Sequence, residues 1–97
     1  MIARDIATDI DSFIHQCGGA NEDWYIGVAF DAEYTLFNQH KVSRHFDSWI
    51  YRVADTSEIA SCVEKAYLSA GYDGGHKTVE SAGNIIYAYL KSSHTEP

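Results

Sequence analysis

The chain has 97 residues, 45% of them hydrophobic and 13% aromatic, which suits one domain with a real core. Fourteen acids against seven bases give a net charge of −7, which disfavours nonspecific binding to DNA, RNA or anionic lipid. No run approaches the roughly 18–20 apolar residues of a membrane span, and Met1 to Asp5 lacks the basic-then-apolar layout of a secretion signal, so a soluble intracellular protein is expected.

Ile2, Ile6, Ile10, Phe13, Ile14 and Cys17 recur at helical spacing and predict a first helix over residues 2–17, stopped by Gly18-Gly19. Asp5 and Asp9 lie on one flank of that stripe and Asp11 on the far side. Residues 24–30 form the most β-prone run. Trp24, Ile26, Val28 and Phe30 share one face of it, and Tyr25, Gly27 and Ala29 the other, where the small residues are expected to let a helix come close. Asp31 has the chemistry to cap a short helix over 32–41, carried by Tyr34, Leu36, Phe37 and His40. Lys41 to His45 is polar and basic and reads as a loop.

A second strand runs from Asp47 to Ala54, with Trp49, Tyr51 and Val53 opposite Ile50, Arg52 and Ala54. Asp55-Thr56-Ser57-Glu58 has the spacing of a capping box and opens a helix to about Ala70. Its expected buried stripe is Ile59, Cys62, Val63, Ala66, Tyr67 and Ala70. A glycine-rich turn follows, then a third strand from Asn84 to Lys91, with Ile86, Ala88 and Leu90 opposite Ile85, Tyr87 and Tyr89. The tail from Ser92 to Pro97 is polar and expected to fray. The order is α-β-α-β-α-β. It predicts one acidic α+β domain over residues 1–97, with a three-stranded, mostly antiparallel sheet and helices packed on one face.

The residues with catalytic potential form no standard constellation. Cys17 and Cys62 fall on apolar stripes without zinc spacing and are expected to be free buried thiols. His15, His40, His45, His76 and His94 are scattered and read as solvated imidazoles, so no metal and no cofactor is expected. The segment from Gly71 to Lys77 has the glycines and the lysine of a phosphate loop at the wrong spacing; it reads as a helix end and turn. Tyr51 and Tyr89 are expected on the open face of the sheet, available to a protein partner, as a plain acidic protein-interaction module would use them.

Tyr25-Ile26-Gly27, with Glu33 and Leu36 after it, resembles the second half of the GIY-YIG nuclease motif. The resemblance implies a tyrosine that works with a helix arginine and a metal-binding glutamate on a phosphodiester. No GIY strand precedes it here, and Tyr34-Thr35 stand where the family carries its arginine. Glu58 or Glu64 could take the glutamate's place.

The acids spread over nearly every element. Duplex DNA carries one charge per roughly 1.7 Å of its axis, a spacing that carboxylates on a rigid domain can imitate. In length, acidity and element order the chain, from Met1-Ile2-Ala3-Arg4-Asp5-Ile6 to Tyr87-Ala88-Tyr89-Leu90, is similar to phage and prophage anti-CRISPR proteins that inhibit the type I-F Csy surveillance complex, in particular the DNA-mimicking kind. That resemblance implies a non-enzymatic blocker in the cytoplasm of the bacterial host. It would sit where the PAM duplex enters, against the large subunit and its neighbouring backbone subunit. The expected contact set is Asp5, Asp9, Asp11, Glu22, Asp23, Asp31 and Glu33, where acid density is highest.

Overall fold

The fold is described from a computed structural model, which covers residues 1–74 and 83–97. Helix α1 is Ala3–Cys17, and a 3₁₀ turn at Asn21–Asp23 leads into strand β1, Trp24–Ala29. Helix α2, Ala32–Tyr34, continues directly into a π-helical turn, Thr35–Gln39. Then come β2 (Trp49–Val53), α3 (Ser57–Ser69), the two-residue strand β3 (Asp73–Gly74) and β4 (Ile85–Leu90). Each long element lies within about two residues of its expected position.

The class is α+β, as the periodicities predict, but the sheet has four strands rather than three, in the order β2-β4-β1-β3. β4 runs antiparallel to both β1 and β2, whereas β3 joins β1 in parallel, so the sheet is mixed. β3 was missed because two residues carry no alternation. Gly74 sits at φ 156°, and a Cβ there would come within 2.2 Å of the Ile26 carbonyl oxygen, so glycine permits this pairing.

Helices do not cover one face alone. On the first face, Ile6, Ile10 and Ile14 of α1 and Ala60, Val63 and Tyr67 of α3 pack on Trp24, Ile26, Ile50, Ile86 and Ala88. On the second face, Tyr25, Ala29, Tyr87 and Tyr89 are covered by Leu36 of the π turn and by Val42. Tyr87 and Tyr89 are therefore buried, not displayed on an open face; only Tyr51 remains half-exposed. The alternation along β1, β2 and β4 is otherwise as expected, because each strand serves two cores at period two.

Helix α3 is rotated from its expected stripe. Ala60, Val63, Glu64 and Tyr67 are buried, while Cys62, Ala66 and Ala70 are exposed. They line a groove of about 540 Å³ between α1 and α3, together with Ala3, Ala7 and Tyr72. Cys17 is exposed as well, so both free thiols face outward rather than into the core. The capping box is also corrected. Thr56 is the N-cap and accepts from the Ile59 amide at 3.1 Å, while Asp55 pairs with the Met1 amino group at 2.6 Å. No helix among the described residues is long and apolar enough to cross a membrane.

Candidate functional site

The second face of the sheet gathers four rings. Tyr25 on β1 pairs across the ladder with Tyr89 on β4, and their rings stack at 5.3 Å. Gly27 lies opposite Tyr87, and the phenol of Tyr87 lies across the space its missing side chain leaves. A Cβ at position 27 would fall 2.3 Å from the Tyr87 hydroxyl.

The fourth ring arrives through the π turn. His40 donates its amide to the Thr35 carbonyl at 3.0 Å, a bond spanning five residues instead of four. The extra residue turns Leu36 and His40 both inward, and each is 0% exposed. The His40 ring then lies 4.6 Å from Tyr25, 5.5 Å from Tyr87 and 5.0 Å from Tyr89. His40 is thus no surface imidazole. A π turn breaks the 3.6-residue period, which explains why this segment looks weakly helical in sequence.

The hydrogen bonds of His40 define its tautomer. Nδ1 lies 2.7 Å from the Glu96 carbonyl oxygen, which can only accept, so Nδ1 carries the proton. Nε2 is then an acceptor, and the Tyr87 hydroxyl at 2.7 Å donates to it. The Tyr89 hydroxyl sits 3.0 Å from Nδ1. Glu96 also returns its own amide to the His40 carbonyl at 2.7 Å.

The tail is accordingly docked rather than frayed. Thr95 is buried and closes a turn with Ser92 at 2.9 Å. His94 Nε2 meets Asp47 at 2.6 Å. Burial alone would raise the Asp47 carboxyl, but the Ser43 amide and the His94 imidazole hold it below its ordinary 3.8.

Burial drives the Tyr87 phenol far above its ordinary value of 10, with further contributions from Tyr25, Tyr89 and the Glu64 carboxylate. Burial and the same neighbour, Tyr25, raise Tyr89. At neutral pH Tyr87 keeps its proton and points it at His40. Glu64, turned inward from α3 and 6% exposed, is close enough to act on Tyr87 electrostatically. Glu58, the other candidate glutamate, is exposed at the start of α3 and accepts from Ser57 at 3.2 Å. The arrangement is a buried phenol–imidazole pair joined by one hydrogen bond.

The seven acids of the expected contact set divide between two ends of β1. Asp5, Asp9, Asp11, Glu22 and Asp23 belong to α1 and the turn before β1, whereas Asp31 and Glu33 follow its far end. Six are exposed and Asp9 is half-buried. Several have structural partners: Asp9 with Arg52 at 2.9 Å, Glu33 with Arg44 at 3.1 Å, Asp5 with Arg4 at 3.7 Å. Asp11 accepts from Tyr67 at 2.6 Å. Asp23 caps the 3₁₀ turn through Ala20 at 2.9 Å, and Asp31 caps α2 through Tyr34 at 3.1 Å, as anticipated. Among the described residues no three His, Cys, Asp or Glu side chains are grouped to hold a metal. Gly75, His76, Lys77 and Glu80 lie outside the described residues. A scan against protein-family models and searches of curated proteins and of solved structures find no match to this chain.

Proposed function

We propose that the chain is a nuclease-like domain of the YIG type with its two motif halves in reversed order, directed at a nucleic-acid phosphodiester. One observation carries the reading. β4 lies antiparallel beside β1 with Tyr87 opposite Gly27 of Tyr25-Ile26-Gly27. The tyrosine strand that such nucleases carry before YIG is here supplied from after it, with Ile85-Ile86-Tyr87 in the place of Gly-Ile-Tyr.

In this reading the Tyr87 hydroxyl gives its proton to His40 Nε2 while its oxygen takes the proton of the attacking nucleophile, so the pair carries one net proton from the nucleophile onto the imidazole. Glu64 is the carboxylate that would hold a divalent cation, a Lewis acid able to neutralise charge on the phosphate. Tyr34-Thr35 still leave the arginine position without a cation. The loss of one such stabiliser costs about 10²–10³ in rate, so slow cleavage is expected. Tyr25, Tyr87 and His40 are all buried, and a phosphate reaches them only when neighbouring residues move aside.

The test incubates the protein with supercoiled plasmid and with a labelled single-stranded oligonucleotide, in Mg²⁺ or Mn²⁺ and in EDTA. Metal-dependent cleavage that disappears in Tyr87→Phe and in Glu64→Gln, both folded by circular dichroism, is the expected result. Cleavage that persists in both variants, or that never occurs in the native protein, removes the reading.

The charge of −7 and the exposure of six acids favour a second reading, a DNA-mimicking anti-CRISPR inhibitor of the type I-F Csy complex. It predicts that purified complex pre-mixed with the protein no longer shifts labelled target duplex. Unimpaired duplex binding by the complex, with no co-migration of the protein, would sink it. The division of the acids between two ends of β1, and their engagement in caps and ion pairs, makes this the weaker of the two.

A further inference from the structure

The 13 residues from Tyr34 to Phe46 contain no acid, in a chain that has 14. Inside that stretch the loop Lys41-Val42-Ser43-Arg44-His45-Phe46 is firmly built. Lys41 turns the chain at φ 60°, and Val42 is buried against the second core. The Ser43 amide donates to Asp47 at 2.7 Å, the Asp47 amide returns to the Ser43 carbonyl at 3.1 Å, and the Phe46 amide donates to the Ser43 hydroxyl at 3.3 Å. Trp49 Nε1 donates to the Arg44 carbonyl at 3.1 Å.

These bonds hold inward everything except Lys41, Arg44, His45 and Phe46. Phe46 is 90% exposed, the most exposed large apolar side chain described. The Arg44 guanidinium lies over the Phe37 ring at 4.2 Å and gives one nitrogen to Glu33. Asp47, the nearest acid on the other side, is turned inward onto Ser43 and His94. Arg4, Arg52 and Lys91 elsewhere on the surface each sit beside a carboxylate, as Arg44 does beside Glu33.

A bare aromatic ring set among three cationic or ionisable side chains matches a polyanion that offers flat apolar faces. We infer that this loop is a contact surface for single-stranded or locally unpaired nucleic acid, with Phe46 stacked on an exposed base and Lys41, Arg44 and His45 against the flanking phosphates. A base paired and stacked in a duplex offers no free face to the ring, so the unpaired form is preferred. The inference rests on the nuclease reading and names the substrate class for it; His40, at the end of the π turn, immediately precedes the loop.

The test measures anisotropy of a labelled single-stranded oligonucleotide in EDTA, so that binding is read without cleavage. The native protein is expected to bind the single strand in preference to the same sequence as a duplex. Phe46→Ala is expected to weaken binding about 10-fold or more, as loss of one stacked base does. The double variant Lys41→Gln with Arg44→Gln is expected to flatten the dependence of log K on log salt by about 1.4, for two phosphates of a single strand. No binding by the native protein, or unchanged binding by a folded Phe46→Ala, overturns the inference. So does a Phe46→Ala variant that loses only co-migration with the Csy complex, which makes the loop a protein contact. Binding without cleavage in metal leaves the inference standing and removes the nuclease reading; cleavage with binding undiminished by Phe46→Ala does the reverse.

Discussion

Gly27 is the residue on which the ring cluster depends. Any side chain there overlaps Tyr87, whose hydroxyl would be 2.3 Å and whose ring carbon Cζ 2.4 Å from the new Cβ. Gly27→Ala must therefore push the phenol aside and stretch or break its bond to His40 Nε2. Both ends of that bond are buried, so the displaced ring leaves strain and an under-satisfied imidazole. A loss of about 1–3 kcal/mol is expected in denaturant unfolding, with circular dichroism unchanged in shape. A glycine flanked by Ile26 and Val28 in a strong strand was visible in sequence as room for a close approach. What approaches is a tyrosine from β4, not a helix. His40 was not legible: its burial depends on a turn that violates the helical period and on a carbonyl 56 residues away.

At the scale of elements, period-two and period-3.6 patterns were readable wherever large apolar side chains set them. Ile6, Ile10 and Ile14 fix α1, and Ile26, Ile50 and Ile86 fix the first face of the sheet. α3 was misread by part of a turn because Cys62, Ala66 and Ala70 are small and contribute little to the choice of face. Val63 and Tyr67 decide it, and the groove beside α1 follows. The start of α3 gives a sharp test. Thr56→Ala removes the side-chain acceptor of the Ile59 amide and is expected to cost about 1 kcal/mol. Glu58→Ala should change chemical-denaturation stability far less, since among the described residues Glu58 reaches the Ser57 hydroxyl and no backbone amide. Equal losses in the two variants would restore the Asp55–Glu58 box expected from sequence.

For the molecule as a whole, the tyrosines set the alkaline limit. Burial, with the Asp11 carboxylate adding for Tyr67, raises Tyr67, Tyr87 and Tyr89 well above 10 in the folded protein. Below pH 10 both the folded and unfolded chains hold these protons, and the tyrosines leave stability unchanged. As pH rises past 10 the unfolded chain releases them and the folded chain does not, so stability falls. Three such groups give a slope approaching about 4 kcal/mol per pH unit, at about 1.36 each. Unfolding midpoints between pH 9 and 11, followed with tyrosinate absorbance, check this; a flat profile would mean that the rings titrate freely. The net charge, equally plain in sequence, is less informative, because ion pairs and caps use many of the acids.

The sheet is ordered so that its last strand in sequence lies inside it, with β4 bonded to β1 on one side and β2 on the other. β1 and β2 never touch each other through a ladder. A chain emerging from the ribosome therefore carries two apolar strands with open edges until Ile85 to Leu90 arrives. The sheet closes in one late step rather than growing hairpin by hairpin. During synthesis those edges are the segments that require shielding from other chains. The seating of His40, whose partners are on β4 and just beyond it, has to wait for the same event.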